Sequence, residues 1–141
     1  MTPELVDLLR DKGTVWVPTL VIGEAVRNMG SPQVNGWLDR LPAMVRLAAG
    51  SGVTVLAGTD AGMVPHGLIA DEVRLLLAAG VPADVALAGA SWAARDYLGR
   101  PGIVAGAPAD LVLYAEDPRT GPEVLTRPVL ILLAGQPIRK P

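Results

Sequence analysis

Cysteine and phenylalanine are both absent from these 141 residues, and histidine occurs once, as His66. Without cysteine there is no disulfide framework and no thiolate to act as nucleophile or ligand. With one imidazole the chain is poorly supplied for a transition metal, whose catalytic sites usually take three protein ligands drawn from imidazole, thiolate and carboxylate. Runs of Lys or Arg are missing too, and the formal net charge is -2. That removes the basic stripe which nucleic-acid binding needs. No apolar run approaches the roughly 20 residues of a bilayer span; the strongest, Val129-Leu130-Ile131-Leu132-Leu133-Ala134, is far shorter. Met1-Thr2-Pro3-Glu4 has neither the basic start nor the apolar core of a signal peptide. A cytoplasmic location is therefore expected, with neither nucleic acid nor membrane as a partner.

What is present is apolar and small. Half of the residues are hydrophobic and 18% are charged, enough to bury a sizeable core. Ala, Val, Leu and Gly dominate, the palette of tightly packed parallel α/β layers. The mean hydropathy of +0.39 is high for a soluble domain of this size, which hints at apolar surface meant to be covered.

The order of elements follows from caps and periodicity. Thr2 and Pro3 suit a helix start and Gly13 its stop, with Leu5, Leu8 and Leu9 on one face. Residues 14–20 read as a buried parallel strand, weakened at Pro18. Ser31-Pro32 starts a helix with Trp37, Leu41, Met44 or Val45, and Ala48 on one stripe, and Pro42 should kink or divide it. Val53 to Gly58 is a second apolar strand. Leu68 to Ala79 reads as helix, and Pro82 to Leu98 as a further one whose Ala residues and Gly89 permit close approach to a neighbour. Strand, helix, strand, helix with short connections is the rhythm of a parallel sheet or a β/α barrel. After Gly99-Arg100-Pro101 glycine and proline punctuate two strand candidates, Asp110 to Ala115 and Val129 to Ala134, with a turn at Gly135-Gln136. This reading sets a boundary between residues 1–99 and 100–141. A complete eightfold barrel takes about 250 residues, and a tail of two strands leaves edges that need partners.

The chemistry-bearing stretch is Gly58-Thr59-Asp60-Ala61-Gly62. It follows a strand directly, so Asp60 falls at the strand's C-terminal end, where ligands bind in parallel α/β folds. His66 lies in the loop that follows and Glu72 in the next helix. Each has a plainer reading: Asp60 as a turn former, His66 as a surface histidine, Glu72 as a solvated first-turn carboxylate complementing the helix dipole. Trp16, Trp37 and Trp92 read as packing residues.

Val55-Leu56-Ala57-Gly58-Thr59-Asp60-Ala61-Gly62, followed by His66-Gly67 and Glu72, resembles the last barrel strand of the amidohydrolase superfamily, in its imidazolonepropionase-like and prolidase-like branch. The resemblance continues through Ala79-Gly80-Val81-Pro82 to Leu98-Gly99, and through Gly102 to Val112 with its Ala109-Asp110 turn. Asp117-Pro118 and Gly135-Gln136-Pro137-Ile138 fit the same tail, and Val17-Pro18-Thr19-Leu20 resembles the seventh barrel strand. The resemblance implies an α/β fold: the C-terminal part of a TIM-type (β/α)8 barrel, its last two strand-helix units, plus part of a small β-sandwich. It implies a metal-dependent hydrolase acting on non-peptide or dipeptide C–N bonds, with a small-molecule amide as substrate. Asp60 would contact the divalent metal, zinc by the resemblance, and shuttle a proton; His66 would lie near substrate; Asp110 would be structural. The first-strand His-x-His pair, the fourth-strand lysine and the histidines of strands five and six have no counterpart here. The N-terminal half of the barrel, in the same or another chain, is therefore an expected partner. The alternative is a barrel piece that serves as a non-enzymatic binding or assembly module.

Overall fold

The computed structural model describes residues 2–138, with Glu24 described by its backbone alone. The chain divides into two compact units, Met1–Ala94 and Arg95–Pro141.

In the first unit, helix α1 spans Pro3–Asp11. Thr2 stays extended and its hydroxyl accepts the Leu5 N–H, while Pro3 occupies the first turn, where its missing N–H costs nothing. Gly13, at φ 61°, turns the chain into a first extended segment, residues 14–19. A 3-10 turn, Leu20–Ile22, and α2, Gly23–Met29, follow. Helix α3 runs over Pro32–Gly50, with the Ser31 side chain accepting the Val34 N–H at its start. A second extended segment, residues 53–58, lies parallel to the first. Trp16 pairs with Val55: its N–H donates to the Thr54 carbonyl at 2.9 Å, and its carbonyl accepts the Leu56 N–H at 3.0 Å. The two expected strands thus meet through a single parallel bridge. Val53, Val55 and Leu56 are all buried, as a segment covered on both faces requires. Val6, Ala48 and Val53 form a buried cluster, with Leu9 and Trp16 packed against it.

Three expectations about the helices need correction. Pro42 lies inside α3 without dividing it. The buried stripe of α3 is Leu38, Leu41, Val45 and Ala48, while Trp37 is 47% exposed. Leu38 is three residues from Leu41 and seven from Val45, whereas Trp37 sits about 100° further round the helix. Trp37, Arg40, Ala43, Met44 and Leu47 instead line an outward groove. The single helix expected from Pro82 to Leu98 is two, α5 (Ala83–Gly89) and α6 (Trp92–Tyr97). The Gly89 carbonyl accepts the Ala57 N–H at 3.0 Å, so it is directed toward the second extended segment. A β-carbon on Gly89 would come within 2.6 Å of the Val55 carbonyl oxygen; only glycine lets the end of α5 lie that close. Between α4, Ile69–Ala78, and α5 the chain turns at Gly80, φ 89°.

In the second unit, β1 (Leu111–Leu113), β2 (Leu130–Leu133) and β3 (Gln136–Pro137) make an antiparallel sheet in that order. Leu111 faces Leu132, Val112 faces Ile131, and Leu113 faces Leu130. The β2–β3 turn falls on Ala134 (φ 49°) and Gly135 (φ 77°), one residue earlier than expected. Both central residues are left-handed, which is what the right-handed twist of a two-residue hairpin favours. Asp110 braces that turn: its carboxylate accepts the Ala134 N–H at 2.8 Å and lies 3.5 Å from Arg95. Among the described residues no helix is long and apolar enough to cross a membrane.

Candidate functional site

The two extended segments of the first unit end side by side. A β-carbon on Gly58 would collide with Val17 Cγ1 and would lie 3.8 Å from the Thr19 hydroxyl. Glycine at 58 therefore lets the first segment cross close to the second just before Asp60. Both segments then leave extended geometry through a left-handed residue, Thr19 at φ 52° and Asp60 at φ 52°. Aspartate tolerates that region, whereas for β-branched threonine it is an outlier that costs about 1–3 kcal/mol and persists only where the surroundings enforce it. The Asp60 carbonyl accepts the Met63 N–H at 3.1 Å, closing a turn. Its carboxylate is exposed and, among the described residues, takes part in no hydrogen bond or ion pair. His66 is exposed in the loop before α4, and no contact ties it to Asp60 among the described residues.

Glu72 departs most from its sequence reading. Expected as a solvated first-turn carboxylate, it is 0% exposed. It reaches from α4 across to the 3-10 turn that follows the first segment, where its two oxygens accept the Leu20 N–H at 3.0 Å and the Val21 N–H at 2.7 Å. Burial pushes its carboxyl above the usual carboxylate range, and the two amide hydrogen bonds pull the other way. No local pattern announces this. Glu72 lies between Ala70 and Val73, both buried, and that apolar flank was the one available signal.

Among the described residues there is no group of three or more His, Cys, Asp and Glu that could hold an ion. Asp60 is a lone carboxylate, and Glu72 already spends both oxygens on main-chain amides. The described residues by themselves do not fit a catalytic metal site. What the segment ends do offer is an exposed, uncommitted carboxylate at Asp60, itself in the left-handed region.

No family model matches the chain. Uncharacterized proteins of Mycobacterium bovis and Mycobacterium tuberculosis are 42% identical over 96% of the chain, and the chain spans 40% of their length. Among solved structures, a Xaa-Pro dipeptidase with methionine bound in its active site superposes with a TM-score of 0.85 and 26% identity, over 99% of this chain and 38% of the other. A putative prolidase from Bifidobacterium longum gives 0.84 and 26%, over 100% and 40%. A prolidase complexed with N-methylphosphonate-L-proline gives 0.81 and 25%, over 100% and 38%. This chain has an amidohydrolase-like fold and is structurally related to hydrolases of the amidohydrolase and prolidase type.

Proposed function

We propose that this chain forms the last two strand-helix units of a (β/α)8 barrel hydrolase, with Asp60 as its proton shuttle. The substrate would be a small molecule with a scissile C–N bond, most simply an Xaa-Pro dipeptide. The observation that carries the reading is Asp60 itself. It ends the second of two parallel segments, bears an exposed and unengaged carboxylate, and belongs to a fold shared with prolidases. A carboxylate so placed can accept the proton of an attacking water and return it to the departing nitrogen. His66, exposed in the loop that follows, would lie near the substrate. Since the described residues hold no ligand cluster, the ligands of a divalent metal such as zinc would come from the N-terminal part of the barrel, in the same or another chain.

The test is hydrolysis of Xaa-Pro dipeptides by the protein purified from its own cell, beside Asp60→Asn. The substitution is expected to lower kcat by about 10²–10⁴-fold, the usual worth of a positioned acid-base group, with KM little changed. Full activity in Asp60→Asn removes the shuttle role. A native protein that holds a protein partner and hydrolyses nothing favours the binding-module alternative, for which the many exposed apolar side chains, Ile103 and Met29 among them, are the supporting observation.

A further inference from the structure

We propose that Glu72 is a positioning residue for the candidate site, fixing Thr19 beside the strand end that carries Asp60. The inference rests on the proposed hydrolase reading for its catalytic consequence.

The capping position of the turn after Thr19 is left empty. The 3-10 turn Leu20–Ile22 begins with amides that have no partner within the turn, and Thr19, at its cap position, makes no side-chain capping bond. The Thr19 hydroxyl contacts its own Val17 carbonyl at 3.5 Å instead. The cap comes from elsewhere in the chain, through Glu72, whose oxygens take the Leu20 and Val21 amides. Burying a carboxylate is a costly way to satisfy two amides that a serine or aspartate at position 19 could have served. Its advantage is that the side chain of residue 19 is left unused for capping while its backbone is clamped. Charge-assisted bonds of this kind are roughly twice as strong as neutral ones, and two of them immediately after Thr19 can hold it in the left-handed region. Thr19 in turn borders Gly58, two residues before Asp60. Glu72 thus sets, through main-chain atoms alone, where the first segment ends relative to the second. The hydroxyl-bearing residue it fixes is available to the substrate that Asp60 serves.

The experiment combines hydrogen exchange and kinetics on the native protein, Glu72→Gln, Thr19→Val and the double variant. Glutamine keeps one acceptor oxygen and turns the other into a donor, so in Glu72→Gln at least one of the Leu20 and Val21 amides should exchange at least tenfold faster, while those of Trp16 and Leu56, bonded across the segment pair, keep their rates. On an Xaa-Pro dipeptide, Glu72→Gln and Thr19→Val should each lower kcat by tenfold or more with KM within about threefold, and the double variant should be no worse than the poorer single one. Losses that multiply show that Glu72 does not act through Thr19 and overturn the assignment. Unchanged exchange at Leu20 and Val21, or faster exchange everywhere alike, overturns it too, and leaves the hydrolase reading standing if the native protein is active. A native protein with no hydrolysis overturns the hydrolase reading and the catalytic role of Glu72 with it. Thr19→Val keeps the coupling measurable through its own kcat should Glu72→Gln fold poorly: a Thr19→Val protein of full activity is then the overturning result.

Discussion

The two units are held together by different means. Apart from Val124, every buried hydrophobic side chain among the described residues lies in the unit Met1–Ala94. The second unit relies on a short antiparallel sheet with exposed Val112, Leu113 and Leu133, and on polar ties: Arg95 with Asp110, Asp110 with the Ala134 amide, and Asp117 with Arg119. Burial removes apolar area from water at about 25 cal/mol per Å², whereas a partly exposed ion pair contributes about 1 kcal/mol or less. The first unit should therefore carry most of the stability. The chain supplies its own probes, since Trp16, Trp37 and Trp92 all fall in the first unit and Tyr97 and Tyr114 in the second.

The largest effect should come from the core. Leu76 is fully buried in α4, and Leu76→Ala should cost about 2–5 kcal/mol, read as a lower urea midpoint of tryptophan fluorescence. A shift under about 1 kcal/mol would mean that the first unit does not depend on this core.

A smaller effect should follow pH. The folded Glu72 carboxyl titrates above its unfolded value because it is buried, so between the two values the folded chain binds more protons than the unfolded one. Stability should then fall as pH rises from the ordinary carboxylate range through the raised value, and remain lower above it. The tryptophan-detected midpoint should show this decline and Glu72→Gln should flatten it. A midpoint that rises over that interval in the native chain and is unaltered by Glu72→Gln would contradict the assignment.

The smallest effect belongs to the second unit. The Asp117 carboxylate is held below its usual range, chiefly by hydrogen bonds from the Arg119 side chain and backbone, yet the pair is exposed and screened. Asp117→Asn should leave the tyrosine-detected transition unmoved. A clear loss would show that this tail depends on its surface charges after all.

Much of this architecture was legible because short-range rules act on neighbours. Thr2-Pro3 and Ser31-Pro32 start helices where they do because caps depend on the next few amides, and Asp60 ends its segment because a glycine-flanked turn follows an apolar run. What escaped depends on residues distant in sequence. Glu72 looked solvated because its partners, the amides of Leu20 and Val21, lie far upstream. The break between α5 and α6 was hidden because the Ala57 amide draws on the Gly89 carbonyl. Trp37 shares the apolar spacing of the core stripe yet faces out, because one residue's rotation, about 100°, decides whether a bulky side chain is buried.

The clamp at Glu72 also bears on how such a site can change over generations. Its two oxygens grip peptide amides, which every residue except proline possesses, and are indifferent to the side chains at 20 and 21. Leu20 and Val21 can therefore be exchanged without releasing the grip, while the turn that bears them keeps its place. The turn after Thr19 is thus open to variation in side-chain size and polarity while its backbone stays on a fixed frame.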